Sequence, residues 1–198
     1  GERVWVGTAE GIGLLADGAW SVVVPPAPTE FRPSGIQVDA TGRVWFAGRI
    51  GRTGATGSDA AVLVLDVGQW RYYGAQDGLT GSVAWSVEVD ASGRPWVALT
   101  DDTDDEAGGV AYLDGGRWYV LDASDGLISG TGFDVAFDGD GDLWAATLAG
   151  ISQLPAEQLP TPIPTPTEPP TPTPPNHHAG AYLPFCEQAR QREVPAGP

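Results

Sequence analysis

The 198-residue chain has one cysteine, two histidines, no methionine and no lysine, and most of these shortages narrow what it can do. A single cysteine, Cys186, closes no internal disulfide and offers no Cys pair to a metal or redox motif. His177 and His178 lie near the C-terminus, so residues 1–154 contain neither His nor Cys. Nucleophile–base pairs of the Ser–His or Cys–His kind are therefore unavailable there. Positive charge is scarce: ten arginines face 26 Asp and Glu, for a net charge of −16. Phosphate backbones are held by clustered Lys and Arg, so this balance argues against nucleic acid as a partner. Long apolar runs are also missing. Ala60–Leu65 is among the longest, far below the ~20 residues of a membrane-spanning helix.

What is abundant is tryptophan and glycine, 8 and 28 residues, and the tryptophans recur in register. One slot holds Trp5, Trp45, Trp96 and Trp144, and a second holds Trp20, Trp70 and Trp118, each preceded by Gly-x. Trp85 stands outside both. A hydrophobic-Asp-x-x-Gly-x-x-Trp phrase leads into the first slot three times, at Asp39–Trp45, Asp90–Trp96 and Asp138–Trp144. From each second-slot Trp to the next such Asp the count is 19, 20 and 20.

Each phrase has a physical reading. Asp bonds its own backbone to start a turn, and Gly three residues on adopts positive φ. The result is a short loop joining two antiparallel strands. Alternating stretches such as Ser86-Val87-Glu88-Val89, then Gly109–Leu113 and Arg117–Leu121, supply further strands. The unit is four antiparallel strands in about 40 to 50 residues, the period of a propeller blade. Packed sheets bury both faces, which accounts for large side chains at fixed slots.

The distance between the two Trp slots varies from unit to unit, being 15, 25 and 22 residues. The additions fall in the hairpin between strands two and three, from Arg49 onward in one unit and over Asp101–Gly108 in the next. Such insertions land on one rim, and variable loops on a rigid scaffold are where binding resides. The candidate binding rim is Arg49, Arg52, Asp101, Asp102, Asp104, Asp105 and Glu106. The two arginines suit a carboxylate or phosphate. The acidic run reads as a solvated loop, with a divalent-cation site as the sharper alternative. Asp138-Gly139-Asp140-Gly141-Asp142 alternates carboxylates like a calcium loop. Its sixth and twelfth positions are Leu143 and Ala149 instead of Gly and Glu, so a turn is expected and no metal or other cofactor is assigned.

Trp5-Val6-Gly7-Thr8, Gly11-Ile12, the Gly-x-Trp slot, Asp77-Gly78-Leu79, Asp125-Gly126-Leu127 and the Asp-x-x-Gly-x-x-Trp phrase together resemble the two-component regulator propeller repeat. The resemblance covers residues 1 to about 154. It implies an all-β fold, a β-propeller, as found in the sensor regions of exported bacterial signalling proteins. Counting units gives about three and a half four-stranded blades, which reads as part of a larger ring whose open edges seek partners. Residues 155–180 read as a disordered linker or stalk: nine of the sixteen residues Pro160–Pro175 are Pro and five are Thr. A short C-terminal segment, 181–198, follows. The expected function is a non-catalytic ligand-sensing or protein-binding module, extracellular or at the cell surface, whose partner is a small ligand or a protein. The alternatives are a structural surface-displayed module and a lyase. The lyase reading follows a similarity to streptogramin lyases, propellers that use a histidine with a metal, and places the catalytic residues upstream of this sequence.

Overall fold

A computed structural model describes residues 3–26, 30–51, 57–104 and 108–162. Strands β1 (Arg3–Thr8), β2 (Gly11–Ala16) and β3 (Ala19–Val23) form the first sheet. β4 (Arg32–Val38), β5 (Val44–Gly51), β6 (Ser58–Asp66) and β7 (Gln69–Tyr73) form the second. The third is β8 (Val83–Val89), β9 (Pro95–Thr100), β10 (Gly109–Asp114) and β11 (Arg117–Leu121). β12 (Gly132–Phe137), β13 (Leu143–Thr147) and β14 (Gly150–Leu154) make the fourth. Every pairing is antiparallel between sequential strands. Short turns bring each strand straight back beside its predecessor, so each repeat closes locally into one sheet.

Core packing follows from the period-two alternation of strands. On β5, Val44 and Phe46 join the cluster between the first and second sheets, while Trp45 and Ala47 face the third sheet. On β9, Val97 and Leu99 face the second sheet and Trp96 and Ala98 face the fourth. One sheet thus feeds two cores. Burial of the Trp slots depends on what covers them: Trp118 is 2% exposed between sheets, whereas Trp20 in the same slot of the first sheet is 62% exposed.

The Asp-x-x-Gly-x-x-Trp phrase is a hydrogen-bond hub. Asp90 Oδ1 accepts from the Ser92 amide (2.9 Å), the Ser92 hydroxyl (2.6 Å) and the Arg94 amide (3.0 Å). Its Oδ2 accepts from Arg94 Nε (2.8 Å) and the Trp96 indole (3.0 Å). Asp39 repeats the pattern with Thr41, Arg43 and Trp45. Asp138 accepts from the Asp140 and Asp142 amides and from the Trp144 indole. The phrase therefore needs Trp for its N–H as well as its bulk. The guanidinium of the intervening Arg lies over that Trp ring, 5.2 Å for Arg43–Trp45 and 5.5 Å for Arg94–Trp96. It also reaches onward: Arg43 Nη2 donates to Gly93 O (3.1 Å) in the neighbouring sheet's turn.

Burial alone would raise the Asp39 and Asp90 carboxyls. Hydrogen bonds from the hydroxyl, indole and arginine of each turn outweigh it and hold both below the usual carboxylate range, Asp39 far below it. A depressed folded pKa contributes stability above the unfolded value of about 4, and that stability is lost as pH falls through the folded value. The urea midpoint is expected to drop from about pH 5 downward and to go on dropping below about pH 3, and an Asp39→Asn/Asp90→Asn variant should drop less steeply. Parallel pH profiles for the two proteins would contradict the hub.

Chain past Leu154 stays on the body. Ala156–Gln158 forms a single 3₁₀ turn, Ala156 N donates to Asp142 Oδ1 (2.9 Å), and Leu159 packs on the core between the third and fourth sheets. Arg94 Nη1 then donates to Pro160 O (2.7 Å). The rest of the Pro/Thr tract, residues 181–198, His177, His178 and Cys186 lie outside the described residues.

Candidate binding cavity at the insertion end

Antiparallel hairpins sort the turns onto two ends of the sheets. One end carries the Asp39, Asp90 and Asp138 turns. The other carries the β5–β6 and β9–β10 connections, where the insertions fall, together with the links between sheets. Two of those links carry the Asp-Gly-Leu phrase. Gly78 and Gly126 take φ of 92° and 107°, and Leu79 and Leu127 drop into the cores.

At the insertion end a cavity of about 360 Å³ is lined by Glu30, Arg32, Arg49, Ser58 and Asp102 among others. Arg32 opens β4 and sits directly opposite Arg49 of β5. Like charges facing each other across a ladder are unfavourable, so the pair costs the fold something unless an anion sits between them. Asp102 comes from the next sheet and is brought in through Ser82, which is 1% exposed. The Ser82 hydroxyl accepts from the Asp102 amide (2.9 Å), its carbonyl accepts from Ser58 Oγ (2.9 Å), and its amide donates to Thr100 O (2.7 Å). Among the described residues, no ion pair joins Glu30 or Asp102 to either arginine.

A second feature of this end is a bulge repeated on β4, β8 and β12. Pairing slips between Pro33 and Gly35, between Ala84 and Ser86, and between Gly132 and Asp134. The extra residues, Ser34, Trp85 and Phe133, occupy the same repeat position. Bulges re-aim side chains, often beside functional sites. Trp85 has sheets on both sides and is still 39% exposed, with its indole N–H fixed on Thr100 Oγ1 at 3.0 Å.

The opposite end has a larger groove, about 770 Å³, between the Asp90 and Asp138 turns and Pro160–Pro162. Several polar groups there are committed to structure: Asp90 and Asp138 to their turns, Arg94 to Asp90 and Pro160, and the adjoining Asp142 to Ala156 and Gln153. In this setting the Asp138–Asp142 carboxylates act as a turn.

Of the residues chosen from sequence, the structure brings Arg49 and Asp102 into one cavity. Arg49 is placed within strand β5 and half-buried, because β5 runs on to Gly51 instead of ending at the insertion. Asp101 accepts from the Thr103 amide (2.8 Å) and hydroxyl within its own turn, and neither it nor Asp104 lines the cavity. Arg52, Asp105 and Glu106 lie outside the described residues. Glu30 and Arg32 escaped the sequence reading, since only strand register reveals that Arg32 faces Arg49. Among the described residues, no three His, Cys, Asp or Glu side chains are grouped to hold a metal ion, and no helix is long and apolar enough to cross a membrane.

No family model matches the chain, and neither does any curated protein. Solved structures do. PorZ, a bacterial surface component of the type-IX secretion system of Porphyromonas gingivalis, superposes with a TM-score of 0.56 at 17% identity, over 81% of this chain and 25% of its own. The extracellular domain of the one-component system BT4673 of B. thetaiotaomicron gives 0.56 at 15% identity, over 76% and 20%. A protein described as a gluconolactonase gives 0.54 at 15% identity, over 79% and 57%. The fold is a β-propeller. Its four sheets are propeller blades, two of four strands and two of three among the described residues. The chain spans from a fifth to just over half the length of these propellers.

Proposed function

We propose that this propeller is a non-catalytic binding module of an exported bacterial protein, of the two-component regulator type, and that it takes its ligand at the insertion end. The observation that carries this reading is the facing pair Arg32 and Arg49, set in one cavity with Glu30 and Asp102. The likeness to surface and extracellular propellers supports export, and the repeated phrases support the regulator-type repeat. The exposed faces of the first and fourth sheets, with Trp20 62% and Ile151 69% exposed, are surfaces on which further blades or a second copy would pack.

Screening small polar ligands by unfolding midpoint tests the site, because a ligand that binds only the folded chain raises it. Hits are expected to shift the full chain and to leave an Arg32→Ala/Arg49→Ala variant unshifted. Equal shifts in both proteins would remove the ligand from this end. The gluconolactonase likeness makes lactone opening the enzymatic alternative. Gluconolactone is expected to open no faster with the chain than in buffer, and turnover above buffer would overturn the non-catalytic reading.

A further inference from the structure

We infer that the insertion-end cavity binds a small zwitterion, of the α-amino acid class. The inference rests on reading that end as the binding face and goes further by fixing the ligand's charge pattern. The cavity holds two cationic and two anionic side chains, Arg32 and Arg49 with Glu30 and Asp102. Among the described residues these opposite charges do not neutralise one another by ion pairing. A simple anion would gain from the arginines but meet repulsion from both carboxylates, and a simple cation would meet the reverse. A ligand carrying a carboxylate and an ammonium satisfies both halves. The arginines donate to its carboxylate and relieve their own facing repulsion, while Glu30 and Asp102 accept from its ammonium.

Size points the same way. At about 360 Å³ the cavity is at the small end of ligand sites, which run from roughly 300 to 1,000 Å³. Its walls are also tied in place. Asp102 hangs from Ser82, which bonds Ser58 and Thr100 as well, and Arg49 is locked in a ladder between Arg32 and Ala60. What remains to be ordered on binding is the exposed side chains of Glu30, Arg32 and Asp102 and the tip of half-buried Arg49.

Isothermal titration of the full chain with glycine, L-phenylalanine, acetate and methylammonium separates the possibilities. At least one amino acid is expected to bind saturably, and acetate and methylammonium about tenfold more weakly or not at all. Arg49→Met and Asp102→Asn are each expected to weaken amino-acid binding by about tenfold, the scale of one charge-assisted contact. Neither urea midpoint should fall below the parent's, and that of Arg49→Met should rise as the facing repulsion is removed, which separates lost binding from lost folding. If acetate binds as well as the amino acids and Asp102→Asn strengthens it, the zwitterion is wrong while the insertion end survives as an anion site. If neither amino acid binds, the zwitterion inference fails, and the midpoint screen decides the binding face separately.

Discussion

Replacing Asp90 by Ala is expected to cost about 3–5 kcal/mol of stability, the range for breaking a buried charge pair from one side. Its two oxygens serve two amides, a hydroxyl, a guanidinium and an indole. Removal leaves Arg94, whose side chain is only 10% exposed, with its longer Asp114 pair and Pro160 O alone, and strands the N–H of Trp96, which is 0% exposed. Arg94 also holds Pro160 O and lies 3.6 Å from Asp114, so the loss spreads to the exit of the chain from the fourth sheet. Urea unfolding measures the change. An Asp90→Ala/Arg94→Met protein should recover part of it, because the buried guanidinium that has lost its closest partner is gone. Asp138→Ala should cost far less: that turn is exposed and has Asp142 where the others have Arg. Equal costs at Asp90 and Asp138 would mean that the hub contributes only as a turn.

Gly35→Val is expected to prevent assembly of the second and third sheets, leaving little soluble protein. The reason is space, since Gly35 has ordinary backbone angles. A Cβ there would lie 2.8 Å from Ser86 Cα, 3.0 Å from Trp85 O and 3.2 Å from Val87 N. These are backbone atoms of β8, and β8 is itself tied onward through Ser86 Oγ, which accepts from Val135 N at 3.0 Å. Nothing can yield without moving the neighbouring blade. Gly35→Ala should lower stability by about 1–3 kcal/mol, the usual cost of overpacking. Gly139→Ala, with nothing near its Cβ position, should stay within about 0.5 kcal/mol. A normally folded Gly35→Val protein would show that the inner strands are farther apart than described.

The blade pattern was legible because its signals are local. Strand alternation, the Asp turn and the Gly-x-Trp slot each sit within a few residues, and their common register named the unit. Even the division of incomplete and complete sheets followed from it. The chemistry of the phrase was half visible: the turn could be read, but the indole N–H returning to Asp Oδ2 needs the strand to fold back. Arg43 and Arg94 share the fourth position after Asp, a local mark of their common role. The bulges at Ser34, Trp85 and Phe133 carry no local mark, since a bulge exists only relative to a partner strand. Trp85 therefore looked like a stray. For the same reason Arg32 and Glu30 were absent from the candidate rim, while Asp101, chosen for its charge, is occupied with its own turn.

The central claim is that this propeller binds through its insertion end. Amide chemical-shift mapping of the full chain during titration with a ligand that raises its unfolding midpoint tests it most directly. Saturable shifts are expected at Arg32, Arg49, Ser58, Ser82 and Asp102, with the Asp39, Asp90 and Asp138 turns unmoved. Shifts gathered at those three turns, or no shifts at the insertion end, would contradict it.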